Sequence, residues 1–169
     1  MIKVPTIKQS EKTIVVVGLP CTGKSTITDA IVKEYGDRRP IKVYRTDDYI
    51  RYGFEESLYV MMNDLKKDIS PIKLIEGVQG YRLLRKGSEI GTFLPDLVII
   101  TVASTATRQA RFAKRPPKPT GTGQKRQKGF DAMLEKFWND YMDNLKKIVP
   151  EKHPRFLILD TETGKQRHA

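Results

Sequence analysis

Short apolar runs rich in β-branched residues alternate along this chain with stretches of helical period. Thr13 to Val17 is a β-branched run closed by Gly18, the pattern of a buried parallel strand. Ser25 to Tyr35 follows, with Ile27, Ala30 and Ile31 at helical spacing and Gly36 as a stop. Ile41 to Arg45 reads as a second strand. Phe54 to Lys67 reads as a helix with Leu58, Met61, Met62 and Leu65 on one side. Ile72 to Ile75, after Pro71, and Leu97 to Val102, after Pro95, are the third and fourth strands. Ala106 to Lys114 is helical by pattern. Phe130 to Ile148 reads as a long helix, with Met133, Phe137, Tyr141 and Leu145 in near-heptad register. Phe156 to Leu159 is the fifth strand. Strands alternating with helices predict an α/β fold with a parallel sheet. The first dozen residues and the tail after Thr163 show no such pattern and are expected to be loosely held.

With 169 residues and no internal repeat, one domain spanning 1–169 is expected. The apolar runs are too short to cross a bilayer, and no leader-like segment opens the chain. Cys21 is the one cysteine, which excludes an internal disulfide framework or a cysteine zinc site and suits a reducing cytoplasm, the host's if the protein is viral. Net charge changes the picture more. Thirty-one Lys and Arg stand against 20 Asp and Glu, giving +11. Most of the excess lies between Leu97 and Phe130, where eight basic residues meet no acidic one. Such a block suits an anionic partner, although a solvated basic surface is the competing reading.

The clearest chemistry lies between the first strand and the first helix. Gly18-Leu19-Pro20-Cys21-Thr22-Gly23-Lys24-Ser25 fits G-x-x-x-x-G-K-[ST] without a mismatch, and Thr26 continues it into the helix. Such a loop aims successive backbone N–H groups at phosphate oxygens. Lys24 is then placed for the β- and γ-phosphates of ATP, and the Ser25 hydroxyl for Mg²⁺. A helix N-terminus adds the favourable end of its dipole. Cys21 reads as a filler position in the loop.

Strand two runs into Arg45-Thr46-Asp47-Asp48-Tyr49-Ile50-Arg51. Ligands of doubly wound sheets bind beyond the carboxyl ends of the strands. A carboxylate here suits a base for an attacking hydroxyl, Asp47 first and Asp48 second. The alternative is an Asx cap of the next helix. Strand three ends in Ile75-Glu76-Gly77, which puts Glu76 near the phosphates as a holder of Mg²⁺-bound water. A strand-end pair with a lysine is the alternative. Gly77 is placed to let substrate approach closely. Tyr81, Arg82 and Arg85 follow and are candidates to line an acceptor pocket.

With these elements in this order, the chain resembles small P-loop kinases of the nucleoside, nucleotide and polynucleotide kinase group. The resemblance spans about Ile14 to Arg115 and is completed by the strand at Phe156. "IEG" at Ile75 to Gly77 and the helix with Arg108 and Arg111 are similar to uridine kinases. "RTDDY" is similar to phage polynucleotide kinases, which carry an arginine directly after the tyrosine. Here Ile50 intervenes and Arg51 comes one place later. The resemblance implies a P-loop kinase fold with a five-stranded parallel sheet of order 2-3-1-4-5, helices on both faces and a basic lid. It also implies Asp47 as base, with Arg51 near the acceptor.

Arg108, Arg111 and Arg115 recur at i, i+3 and i+7 on one helical face. In the kinases the chain resembles, lid arginines clamp the phosphates and stabilise the transferring phosphoryl group, a task that suits guanidinium. Arg111 and Arg108 are therefore expected in catalysis and Arg115 in nucleotide binding. The lid and its loop run from about residue 104 to 129. Lys118, Lys125 and Arg126 lie far enough along to contact a polymer backbone. DNA, or another anionic acceptor, is the expected partner. Phage kinases acting on 5-hydroxymethyluracil in DNA match by class, a polynucleotide 5′-hydroxyl is a further candidate, and a nucleoside, nucleotide or small-metabolite acceptor is the alternative.

Overall fold

The structure, a computed structural model, describes residues 3–91, 93–115, 136 and 154–168. Its strands are β1 (Thr13–Val17), β2 (Ile41–Arg45), β3 (Ile72–Glu76), β4 (Leu97–Val102), β5 (Arg155–Asp160) and β6 (Gln166–His168). They form one sheet of order β2-β3-β1-β4-β5-β6. The first five are parallel in the expected order, and β6 is antiparallel to β5. The sheet thus has six strands rather than five, and the expectation of a loose tail is corrected. Asp160 turns the chain back by accepting from the N–H groups of Glu162 and Thr163, and β6 pairs along β5.

The helices are α1 (Lys24–Tyr35), α2 (Glu56–Lys67), α3 (Gly80–Glu89) and α4 (Thr105–Ala113), with a 3-10 turn at Thr46–Tyr52. The sheet is covered on both faces because β1, buried on both, alternates between two cores. Val15 and Val17 pack with Leu58, Met61 and Leu65 of α2 and Leu83 and Leu84 of α3. Ile14 and Val16 pack with Ile27 and Ile31 of α1. A strand apolar on both faces belongs in the middle of a parallel sheet, where β1 lies. α3 was not anticipated from the sequence. Apart from Lys136, the predicted helix at Phe130–Ile148 lies outside the described residues, as does the basic loop beyond Arg115.

The N-terminal segment is also anchored, against expectation. Ile7 is buried and its N–H donates to Tyr35 Oη at 3.1 Å. Glu11, buried as well, is bridged by Arg155 of β5 at 2.7 Å. Gln166 of β6 donates to Lys3 O at 2.8 Å, so both ends of the described chain meet. No helix among the described residues is long and apolar enough to cross a membrane.

Candidate active site at the carboxyl ends of the strands

The loop between β1 and α1 is built from backbone in left-handed conformations. Cys21 has φ 64° and Gly23, the residue before α1, φ 93°. For cysteine this region carries strain, and for Gly23 it does not. Alternation of this kind curls the chain so that N–H groups converge on an anion. The curl is fixed by its neighbours. Thr22 Oγ1 donates to Leu19 O at 2.8 Å and lies 2.6 Å from Thr101 Oγ1 at the end of β4. A Cβ built on Gly18 would stand 2.4 Å from Thr101 Oγ1, so only glycine lets the loop sit this close to β4.

Lys24 is buried, and its Nζ donates to Gly18 O and Leu19 O at 3.1 and 2.8 Å, across the mouth of its own loop. Burial pushes its pKa down to about 8, with Glu76 pulling the other way and Arg115 adding to the depression. A cation held in this way gains most from an incoming phosphate. Ser25, exposed at the start of α1, donates its hydroxyl to Glu76 Oε1 at 3.2 Å. The other Glu76 oxygen takes the Arg45 guanidinium, which also reaches Asp29 at 3.4 Å. Glu76 is only 7% exposed. Its ion pair is with an arginine, in place of the lysine pair weighed from the sequence.

Asp47 and Asp48 are exposed in the first turn of the 3-10 segment. Neither is its cap: Arg45 holds that position in extended conformation, with no side-chain cap bond. Asp47 is near enough to Lys24 to oppose the fall of its pKa. The turn is pulled against β3 by Gly77, whose φ is 145°. A Cβ there would fall 1.8 Å from Thr46 Oγ1. The close approach that Gly77 permits in this structure is to Thr46.

Arg111 of α4 donates to Cys21 O at 3.1 Å and to Thr161 Oγ1 at 2.9 Å, which places this arginine directly on the loop. Arg108 is buried on α4. Arg115, just beyond α4, is exposed and within electrostatic reach of Lys24. The structure thus gathers the loop from Gly18 to Ser25 with Asp47, Glu76, Arg111 and Arg115. Thr26 is exposed on the first turn of α1. Arg51 donates to Tyr52 Oη at 2.9 Å and stacks on that ring. Tyr81 is buried at the start of α3, and burial raises its phenol pKa. Lys118, Lys125 and Arg126 lie outside the described residues.

Three groups were missed in the sequence. Thr161, after β5, donates its hydroxyl to Thr22 O at 2.7 Å, accepts from Arg111, and packs its methyl against Gly23. Glu162 next to it accepts from Ser104 N at 2.9 Å and Ser104 Oγ at 3.0 Å, and from Thr107 Oγ1, at the start of α4. These bonds hold its carboxyl below the usual range. Together the pair fastens α4 to the loop between β1 and α1. Arg45 is the other omission. A strand ending in Arg before the acidic pair was a faint signal, but its partner Glu76 lies 31 residues away.

No protein-family model matches the chain. No curated protein matches it in sequence either. Solved structures do. A shikimate kinase from Acinetobacter baumannii, solved with shikimate, superposes with TM-score 0.59 at 14% identity, covering 90% of this chain and 85% of that one. A deoxyadenosine kinase from M. mycoides, solved with dATP, superposes with TM-score 0.52 at 16% identity, covering 90% and 94%. The chain has the P-loop kinase fold that these structures share.

Proposed function

We propose that this protein is an ATP-dependent phosphotransferase that moves the γ-phosphate to an alcohol oxygen. The observation that carries the reading is the convergence of Lys24, Ser25, Glu76 and Asp47 at the carboxyl ends of β1, β2 and β3. The backbone curl at Cys21 to Lys24 grips the phosphates, and Lys24 turns from its own carbonyls to them. Arg111, with Arg108 behind it on α4, offsets the charge that develops on the transferring group. Asp47 orients the acceptor hydroxyl and takes its proton as the new O–P bond forms and ADP departs.

The donor set fits Mg²⁺. Ser25 Oγ and Glu76 Oε1 are 3.2 Å apart, a hydroxyl beside a carboxylate, as suits a hard ion that also takes phosphate oxygens and waters. Among the described residues no group of three His, Cys, Asp or Glu side chains stands ready as a metal cage, and Mg²⁺ bound with a nucleotide does not require one. When bound, the ion would neutralise charge on the β- and γ-phosphates. Arg45 holds Glu76 in place for it.

For the acceptor we infer a hydroxyl on DNA, either the 5-hydroxymethyl group of a modified uracil in phage DNA or a strand 5′-hydroxyl. Support comes from the eight basic residues between Leu97 and Phe130, more than a small-molecule lid requires. Closure of the lid would also exclude water and so spare ATP from hydrolysis. A nucleoside or small-metabolite acceptor is favoured by the likeness to kinases crystallised with shikimate and dATP. The single cysteine suits a cytoplasmic setting.

The test is transfer from ATP labelled in its γ-phosphate to modified DNA, unmodified DNA with 5′-hydroxyl ends, and free nucleosides. Label in DNA, weakened by salt, is expected. Label in nucleosides alone, insensitive to salt, overturns the DNA acceptor but not the kinase. An Asp47→Asn protein that transfers normally overturns the assignment of the base.

A further inference from the structure

The acceptor side carries an exposed aromatic strip that the phosphoryl-transfer machinery does not use. Tyr52 is 43% exposed, Phe54 58% and Tyr59 45%. They follow Asp47 directly, at the end of the 3-10 turn and along the start of α2. Each ring has a cation over it. Arg51 lies 4.9 Å from the Tyr52 centroid, Arg82 3.4 Å from that of Phe54, and Lys86 6.0 Å from that of Tyr59. Arg82 and Lys86 are one turn apart on α3, so they address Phe54 and Tyr59 from the same side. The arginine on Phe54 is fixed: it also donates to Phe54 O, Gln79 Oε1 and Glu55 Oε1 at 3.1–3.2 Å.

We propose that Tyr52, Phe54 and Tyr59 form a stacking platform for the unpaired bases of a single-stranded nucleic acid, leading its reacting hydroxyl to Asp47. The proposal rests on the kinase reading and narrows its acceptor to a single strand or an unpaired nucleotide. Three large rings left exposed within eight residues of chain, rather than scattered singly, point to a binding surface. Rings held by cations at the rim of an anion-handling site are the chemistry that accepts bases on their faces and phosphates at their edges. A duplex keeps its bases stacked on each other and offers the rings nothing. Beside the strip, Glu55 is matched by Arg82 at 3.2 Å, while Asp48 and Glu56 stand exposed and offset the cations. The strip therefore contributes stacking more than net charge.

That division gives a signature. Binding of a labelled single-stranded oligonucleotide of about a dozen nucleotides, followed by fluorescence anisotropy in the full-length protein, should exceed binding of the same sequence as a duplex. Phe54→Ala should weaken single-strand binding about tenfold and Tyr52→Ala by a similar factor, while the dependence on salt keeps its slope. Phe54→Trp should retain affinity, whereas Phe54→Leu, apolar but without a π face, should not. ATP binding and thermal melting, unchanged in these surface variants, confirm that they fold. Equal affinity of wild type and the Phe54→Ala/Tyr52→Ala pair overturns the proposal, as does a preference for duplex. So does self-association of the wild type that Phe54→Ala abolishes, since the strip would then be a contact between copies. Strand binding that depends on the rings but leads to no transfer keeps the platform and removes the DNA acceptor.

Discussion

The two halves of the site are built in opposite ways. On the phosphate side, the loop is held from within and from without. Thr22 is bonded to Leu19 and Thr101, Thr161 to Thr22, Lys24 to Gly18 and Leu19, and Arg111 to Cys21. Most of these groups are buried. On the acceptor side, the 3-10 turn leaves Asp47, Asp48, Ile50, Arg51 and Tyr52 exposed, and it is seated through buried Thr46 and through Tyr49, which packs on the core and donates to Asp64 at 2.7 Å. On the kinase reading proposed above, the difference follows from the ligands. A triphosphate has fixed charge and shape and rewards a rigid backbone cradle. An acceptor differs between enzymes, so its side is carried by side chains on a turn that tolerates change.

The contrast breaks hardest at Asp47. If the exposed turn supplies the base, Asp47→Asn should lower kcat by about 10²–10⁴ with KM for ATP little changed. Steady-state rates at saturating acceptor, with equilibrium nucleotide binding alongside, measure it. A fall in nucleotide affinity instead would place Asp47 functionally on the phosphate side.

Gly77 tests the seating of the turn. Gly77→Ala imposes an unfavourable φ and drives a Cβ to within 1.8 Å of Thr46 Oγ1. Urea unfolding should show a loss of about 1–3 kcal/mol. Adding Thr46→Gly removes the clash but not the strain, so the double variant should recover only part of the loss.

These residues also mark how far the sequence could be read. The order β1 to β5, the phosphate loop, Asp47 and Glu76 follow local patterns, since each is announced by its neighbours in the chain. α3 carries a weak local signal, with glycines at Gly80 and Gly87 that disfavour a helix. In the fold they are contact points, with a built Cβ 2.6 Å from Val17 at Gly80 and 2.5 Å from Phe93 at Gly87. β6 is Gln-Arg-His, without strand propensity, and exists because β5 offers it an edge. Arg45 and Thr161 matter only through residues distant in the chain. The tertiary context that selects them is invisible to a pattern.

On the phosphate side, pH should separate the cradle from the turn. The Lys24 pKa lies at about 8, below its ordinary 10.5, because burial disfavours the ammonium. Bound phosphates favour the ammonium and raise that value. Below about pH 8 the lysine is charged in both states and affinity for ATP is flat in this respect. Above it, binding must take up a proton, and affinity should fall by up to about tenfold per pH unit until the bound-state pKa is reached. Lys24→Met should bind ATP weakly and without that slope. Calorimetry in buffers of different ionisation enthalpy should report the proton uptake.

The smallest effect belongs to Thr161, and it bears on whether the rigid half depends on a residue outside its own motif. Thr161→Val keeps the methyl contact with Gly23 but removes the donor to Thr22 O and the acceptor for Arg111. One net hydrogen bond is worth about 1 kcal/mol, so kcat/KM should drop about fivefold. The split matters more than the size. Loss of the bond to Thr22 alone would loosen the cradle and raise KM for ATP. Release of Arg111 from its mooring would change kcat if this arginine acts on the transferring group as proposed. Thr161→Ser restores both bonds and should restore both parameters. If Thr161→Val is harmless and Thr161→Ser is not, the methyl packed on Gly23 is what counts, and the cradle is held by shape rather than by the hydroxyl.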